Sequence, residues 1–249
     1  MGKPVRWAWG SVVGGAAWML AAAPALAALP APRVVEVTSK AMEGPRRLSI
    51  FRGNACRERL DGCTVIYMAD GEMLHRFLRE APTGATFDRL VVVGLHNDHT
   101  DRTGRARQGE LLRDDDRARY RAFEQFLTKE VVVYVEGPAP GPADNRFTLG
   151  FSNGGAWAID MLERRRELFG GTVAMSVADQ STRGRKVTGA RVFLGSGRHE
   201  AAYYDYTRAS ATALKGAGAK VEERYVPGDH NPATWTALFW WAVGEMMQP

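Results

Sequence analysis

Cysteine is scarce in this sequence, with only two such residues among 249. Cys56 and Cys63 lie close together in a polar stretch. The low number excludes a disulfide-dense scaffold, and the short spacing predicts one short-loop disulfide in an oxidising compartment. A two-cysteine zinc site is the alternative, but no histidine lies near either residue in the sequence.

A strong charge of one sign is also missing. The net charge is +5, from 33 basic and 28 acidic residues, and this excess is too small to argue for binding to nucleic acid. No repeat or low-complexity segment is present. The hydrophobic fraction of 45% and the charged fraction of 24% are ordinary for a globular protein, which excludes a disordered chain, a collagen-like repeat and a coiled coil. We expect a single domain over residues 28–249.

After residue 27 the sequence contains no apolar run of about 18 residues that could cross a bilayer. Before it, residues 1–10 carry two cations and no acid, and an almost uncharged run follows that ends in Ala25-Leu26-Ala27. This is the pattern of a cleaved signal peptide over residues 1–27. A membrane anchor over 7–32 is the alternative, although glycines and prolines interrupt that stretch. We therefore expect a periplasmic or secreted protein with no stable membrane insertion after cleavage.

Strand and helix patterns alternate along the rest of the chain. Strands are predicted at 34–38, 47–52, 64–68, 90–94, 147–149, 172–176, 192–194 and 220–226, and helices at 72–79, 116–129, 156–168, 203–215 and 233–246. A turn at Glu43-Gly44-Pro45 makes the first two strands an antiparallel hairpin. The apolar strands that follow are typical of a mainly parallel, doubly wound α/β sheet. Residues 130–135 fit either a strand or a continued helix.

A nucleophile motif follows the strand predicted at 147–149. Gly150-Phe151-Ser152-Asn153-Gly154 matches G-x-S-x-G, and a helix pattern follows it. Strand, sharp turn and helix form the nucleophile elbow, in which glycines are needed because neighbouring side chains would clash. Ser152 is therefore the candidate nucleophile. The alternative is a serine that only caps the helix.

A base and an acid can be placed by chain order, which is serine, acid, histidine on such a sheet. Of five histidines, His230 alone follows the last predicted strand. Glu200, in the loop after the strand at 192–194, is the candidate acid, with Asp205 and Asp179 as rivals. The alternatives are a solvated histidine, and a glutamate favoured by a helix dipole.

The predicted oxyanion donors are the backbone N–H groups of Asn153 and of Gly71, which follows the strand at 64–68. A plain turn at Gly71 is the alternative. An arginine-rich stretch follows the strand at 90–94 and reads mostly as a solvated surface of mixed charge. Within it, Arg107 and His96 are candidate substrate-binding residues.

A metal-ligand pattern is also partly present in the stretch after residue 95. His96, Asp98 and His99 resemble half of a dinuclear metallohydrolase motif, but Gly94 stands where a preceding ligand is needed. A metal-dependent hydrolase is thus an alternative, and the main interpretation needs neither metal nor cofactor.

A series of short motifs runs through residues 35–243. In chain order they are Val65-Ile-Tyr-Met-Ala-Asp-Gly71, Val91-Val-Val-Gly-Leu95, Arg107-Gln-Gly-Glu110, the helix at 120–130, Gly150–Gly155, and Gly228-Asp-His230 with Trp235. In order and spacing they resemble the α/β-hydrolase esterases of the enterochelin-esterase and esterase D-like group. Asp229 departs from that family's pattern, which has a second glycine there.

This resemblance implies an α/β-hydrolase fold, Ser152 as nucleophile and His230 as base. It leaves the acid open, because members of the group differ there and some use a Ser–His pair alone. It also favours a helix at 130–135. The predicted function is an exported serine esterase acting on a small-molecule ester, either a siderophore lactone or a small acyl or aryl ester. A non-catalytic binding protein of the same fold is the alternative from another class, and the oligomeric state stays open.

Overall fold

The apolar runs of the sequence become the strands of one sheet that is covered by helices on both faces. The computed structural model describes residues 29–82, 87–98, 101, 103–178 and 183–248. The predicted signal peptide lies outside these residues. The strands are β1 (Arg33–Ser39), β2 (Gly44–Arg52), β3 (Thr64–Met68), β4 (Leu90–Leu95), β5 (Arg146–Phe151), β6 (Gly171–Met175), β7 (Arg191–Gly197) and β8 (Lys220–Val226).

The helices connect these strands in the manner of a doubly wound fold. They are α1 (Leu74–Arg79), α2 (Arg105–Leu111), α3 (Arg117–Gln125), α4 (Val132–Glu136), α5 (Asn153–Arg164), α6 (Ala202–Gly216) and α7 (Pro232–Met246). A π-helical turn, Phe126–Val131, joins α3 to α4, and short 3₁₀ turns lie at Asn54–Cys56, Gly71–Met73 and Ala143–Asn145.

The eight strands follow the order β1-β2-β4-β3-β5-β6-β7-β8. β1 pairs antiparallel with β2, and β2 antiparallel with β4, while every later pair is parallel. The predicted α/β class and N-terminal hairpin are confirmed. Because the carboxyl ends of β3, β5, β6, β7 and β8 meet at one edge, the loops after them converge there.

Two apolar layers flank the sheet. One lies under α3, α4, α5 and α6 and includes the fully buried Trp157. The other lies under α1 and α7 and includes Phe77 and Phe239, whose rings are 5.0 Å apart. Among the described residues, no helix has both the length and the apolar character needed to cross a bilayer.

The structure resolves one ambiguity of the sequence prediction and differs from the prediction at two other places. Residues 130–135 are helical: Val132 and Val135 are buried while Val133 is exposed, so packing on one side overrides the strand propensity of valine. Helix α2 lies in the arginine-rich stretch, where the sequence patterns predict no helix. β8 is an edge strand with mostly exposed side chains rather than a strand covered on both faces.

The predicted disulfide is present between Cys56 and Cys63, whose Cα atoms are 6.2 Å apart. Both cysteines are buried, and Cys63 lies just before β3. The bond closes the loop between β2 and β3 at the end of the sheet opposite the converging loops.

Candidate active site

The turn between β5 and α5 has the geometry of a nucleophile elbow. Ser152 has φ 55° and ψ −126°, a region that side-chain-bearing residues rarely adopt. A Cβ on Gly150 would lie 2.0 Å from the carbonyl oxygen of Gly154, so only glycine fits at the entry of the turn. The backbone N–H of Ser152 donates to Met175 O at 3.0 Å, which anchors the elbow to β6.

Backbone strain collects at the edge where the parallel strands end. Among the residues that the structure describes, four other than glycine with positive φ follow these strands directly or within a few residues: Asp70, Ser152, Ser176 and Ala201, with φ between 46° and 55°. Strain of this kind clusters where function fixes the backbone. This strain indicates that the reactive site lies at this edge of the sheet.

Ser152, His230 and Glu200 are joined by hydrogen bonds at this edge. The Ser152 Oγ lies 3.1 Å from His230 Nε2, and His230 Nδ1 lies 2.8 Å from Glu200 Oε2. The Glu200 side chain is fully buried, whereas that of His230 is 28% exposed. The arrangement places the imidazole so that Nε2 can take the proton of the hydroxyl while the carboxylate orients the ring through Nδ1.

The loop carrying His230 is tied to the loop carrying Glu200 by main-chain contacts. His199 N–H donates to Gly228 O at 3.1 Å. A Cβ on Gly197 would lie 2.2 Å from the same oxygen. This close approach explains the glycine at 197 and sets the distance between the two side chains.

Glu200 receives two further donors through its second oxygen. Ser176 Oγ donates to Oε1 at 2.8 Å, and Gly197 N–H donates to it at 2.6 Å. Trp235 Nε1 in turn donates to Ser176 Oγ at 3.0 Å. These bonds fix the plane of the carboxylate toward His230. Sequence reasoning missed Ser176, whose only local signal is its place directly after β6.

Aromatic rings hold the imidazole of His230 from two sides. Tyr203 stacks on it with ring centroids 3.8 Å apart and planes 22° from parallel. Trp235 meets it edge-on at 5.1 Å and itself stacks on Phe151 at 4.2 Å. The histidine ring is thus restricted in rotation before any substrate binds.

The two predicted oxyanion donors both begin helical segments. Asn153 is the first residue of α5, and Gly71 is the first residue of a 3₁₀ turn. The first N–H groups of a helical segment have no acceptor within it, so they are available to a bound oxygen. A Cβ on Gly71 would lie 2.2 Å from the carbonyl carbon of Gly94, which explains the glycine at this position.

Arg107 lies beside this region with its guanidinium engaged by Asp70. Its Nη2 donates to Asp70 Oδ2 at 2.8 Å, and its Nε donates to Oδ1. Asn97 Nδ2 also donates to Oδ1, at 2.6 Å. The predicted substrate-binding role of Arg107 thus concerns a side chain that is already paired within the protein.

Ion pairs hold part of the stretch after β4 against the rest of the protein. Glu110 is fully buried and takes two donors from Arg46, at 2.8 and 2.9 Å, together with Arg119 at 2.8 Å. Arg119 also binds Asp98 at 2.9 Å. The expectation of a mostly solvated mixed-charge surface is wrong at Glu110, because its partners come from β2 and α3 across the fold.

The remaining candidates lie as follows. His96 Nε2 is 2.7 Å from Ser49 Oγ, so the imidazole is bonded toward β2. His99 and Asp179 lie outside the described residues, and the metal alternative therefore stays a prediction. Asp205 is exposed on α6, while Glu200 occupies the position beside His230.

Residues 39–246 match the family described as "Putative esterase". The chain belongs to this esterase family. Its membership confirms the predicted class, that of carboxylic ester hydrolases, and the resemblance noted from the motifs. The comparison with curated protein sequences finds no match.

Solved structures of esterases and of a serine hydrolase share the fold. The enterochelin esterase of Shigella flexneri matches with a TM-score of 0.65 and 21% identity, over 88% of this chain and 59% of the other. A ferulic acid esterase of Anaeromyces mucronatus matches with a TM-score of 0.61 and 16% identity, over 86% and 90%. The fluorophosphonate-binding serine hydrolase F of Staphylococcus aureus matches with a TM-score of 0.63 and 13% identity, over 88% and 99%.

These matches differ in extent. The chain spans about three fifths of the length of the Shigella enzyme but nearly all of the Staphylococcus enzyme. At such identities the likeness speaks for the α/β-hydrolase fold, and the chemistry rests on the residues of this chain.

Proposed function

We propose that the protein is an exported serine esterase in which Ser152 is the nucleophile, His230 the base and Glu200 the acid. The observation that carries the proposal is the continuous hydrogen-bonded chain from Ser152 Oγ through both ring nitrogens of His230 to a buried carboxylate. Family membership supports ester hydrolysis as the reaction.

In the first half-reaction, His230 Nε2 takes the proton of the Ser152 hydroxyl while Oγ attacks the ester carbonyl carbon. The carbonyl oxygen becomes an oxyanion that accepts hydrogen bonds from the N–H groups of Gly71 and Asn153. Glu200 stabilises the imidazolium through Nδ1. His230 then gives the proton to the leaving alkoxide, and the alcohol departs from an acyl-enzyme.

In the second half-reaction, water replaces the alcohol. His230 takes a proton from the water, whose oxygen attacks the acyl carbon through a second oxyanion. The C–O bond to Ser152 breaks, and His230 returns the proton to Oγ. The reaction yields one carboxylic acid group and one hydroxyl group, which remain in one molecule when a lactone ring opens, and no cofactor takes part in either half-reaction.

For the substrate we propose a siderophore lactone, with a small acyl or aryl ester as the second candidate. The structural likeness to the Shigella enterochelin esterase supports the first, and the likeness to a ferulic acid esterase supports the second. Hydrolysis rates on a cyclic triester and on methyl ferulate, measured side by side, rank the two candidates.

Export is the remaining part of the proposal. A disulfide between Cys56 and Cys63 is expected to persist only in an oxidising compartment, in line with the signal-peptide pattern at residues 1–27. Mass spectrometry of the protein from its native host would give the mature N-terminus, which we expect at residue 28.

The chemistry is tested by hydrolysis of a short p-nitrophenyl ester. We expect Ser152→Ala to lower kcat at least about a thousandfold, while Thr212→Ala, which removes an exposed hydroxyl from α6, leaves it unchanged. Equal rates in Ser152→Ala and the parent would remove Ser152 from the chemistry and direct metal analysis to His96, Asp98 and His99. If neither protein is active, fluorophosphonate labelling separates a selective esterase from a binding protein.

A further inference from the structure

A buried carboxylate lies against the proposed oxyanion hole. Asp70 directly precedes Gly71, one of the two proposed donors, and is 3% exposed. Its Oδ2 would lie 3.1 Å from a Cβ on Gly154, and Gly154 follows Asn153, the other donor. An unpaired negative charge at this place would oppose the charge that develops on the ester oxygen, because a buried position screens charges poorly.

Arg107 supplies the opposite charge in a fixed geometry. Its Nε and Nη2 donate to the two oxygens of Asp70 in a bidentate pair. The Asp70 side chain is 4% exposed and that of Arg107 is 29% exposed. Such a pair neutralises the carboxylate and fixes its plane. Asn97 adds a third donor from the loop after β4.

The same carboxylate belongs to a strained turn. Asp70 has φ 55° and ψ 49°, in the left-handed region, and its carbonyl oxygen accepts from Met73 N–H at 3.0 Å. Gly71 packs against the backbone of Gly94. The direction of the Gly71 N–H therefore depends on the backbone conformation of Asp70. The ion pair with Arg107 holds the Asp70 side chain in place.

We propose that the Arg107–Asp70 ion pair balances the charge and fixes the geometry of the oxyanion hole. Arg107 acts through Asp70 and is a positioning residue rather than a group that contacts the ester. The inference rests on the proposed function of Ser152 and His230, and it replaces the substrate-binding role that the sequence predicts for Arg107.

The test removes the positive charge and then the negative one. Arg107→Gln leaves the Asp70 carboxylate uncompensated, so kcat on a p-nitrophenyl ester is expected to fall about 100-fold while KM stays within about threefold. Adding Asp70→Asn removes the uncompensated charge, and asparagine tolerates the left-handed backbone. We expect this double variant to recover kcat at least about tenfold over Arg107→Gln.

The matched control is Arg105→Gln, which removes an exposed arginine from the same helix and should leave kcat unchanged. A purely structural role of the pair predicts a double variant as slow as Arg107→Gln or slower, and that result would overturn the inference. So would a loss below twofold in Arg107→Gln, or a loss confined to KM.

Two checks keep the outcomes separate. If the parent protein does not hydrolyse esters, or if Ser152→Ala is as active as the parent, the proposed function fails rather than this inference. If Arg107→Gln does not fold, as judged by circular dichroism, the double variant is decisive alone, since it buries no unpaired charge. A kcat within about tenfold of the parent then upholds the inference, and a larger loss contradicts it.

Discussion

The two sides of Ser152 are built in different ways. On one side, His230 is held by Glu200 and by ring contacts with Tyr203 and Trp235, all from the C-terminal fifty residues of the chain. On the other, Gly71 belongs to a turn whose carboxylate is held by an arginine from the stretch after β4. In the proposed mechanism, hydrogen bonds and stacking orient the proton-transfer side, whereas the oxyanion side depends on a balance of charge.

The difference teaches which substitutions each side should tolerate. A change on the proton-transfer side should act through the orientation of the His230 ring. The loss in kcat should be larger for residues that contact this ring directly than for residues that act through another side chain. A change on the oxyanion side should depend on whether a partner charge is left behind, so that a second substitution repairs the first.

The largest effect on this comparison is expected from Glu200→Gln. The amide keeps the size of the side chain but loses the charge that stabilises the imidazolium, so kcat should fall about a thousandfold. The matched control is Asp205→Asn at the exposed rival acid, which should leave kcat unchanged. Steady-state kinetics of both variants check the assignment. A larger loss in Asp205→Asn than in Glu200→Gln would move the acid to Asp205.

Arg107→Gln should lower kcat about 100-fold, which is less than the loss expected for Glu200→Gln. Only on the oxyanion side should a second substitution recover part of the lost kcat.

A smaller effect is expected at Ser176, which acts on His230 through Glu200. Removing its hydroxyl in Ser176→Ala should lower kcat about tenfold with KM unchanged.

Ser176→Gly separates the hydroxyl from the strained backbone, because glycine adopts φ 48° freely. If the hydrogen bond to Glu200 matters, Ser176→Gly and Ser176→Ala lose the same factor in kcat. A glycine variant as active as the parent would contradict the role given to the hydroxyl, because glycine lacks that hydroxyl just as alanine does.

The smallest effect lies away from both sides, at Glu163 near the end of α5. Burial raises the pKa of this carboxyl, against a hydrogen bond from Arg183 N–H at 2.7 Å. Because the pKa of Glu163 is higher in the folded state than in the unfolded state, the neutral carboxyl adds to the free energy of unfolding. This contribution is fully present at low pH. It is lost as pH rises through the folded pKa.

Glu163→Gln should therefore raise Tm by about 2–4 °C at pH 7, show no difference at about pH 4, and leave kcat unchanged. Glu167→Gln, at a mostly exposed side chain, is the matched control and should change neither quantity. Thermal unfolding at the two pH values measures the effect. A Tm gain at pH 4 equal to that at pH 7 would exclude the ionisation as its cause.

The sequence predicts the sheet, the hairpin and the place of Ser152, because each of these depends on local patterns of polarity and glycine. It also predicts His230 and Glu200 by their order after the strands. The structure brings these two side chains together with Ser152, as the chain order requires.

What the sequence cannot predict depends on contacts between distant segments. The place of Ser176 directly after β6 is its only local signal, and its role arises only where β6 and β7 end side by side. The helix at 105–111 packs against α3 and α5, and the engagement of Arg107 by Asp70 joins it to the turn after β3. Residues 130–135 are ambiguous because valine favours strands, and only burial of one face decides for a helix.

The central claim, that Ser152 is the nucleophile of an esterase, is tested most directly by fluorophosphonate labelling of the mature protein followed by peptide mass spectrometry. The account predicts one adduct per chain, on Ser152, present in Thr212→Ala and absent in Ser152→Ala. An adduct on another residue, or labelling that persists in Ser152→Ala, would contradict it.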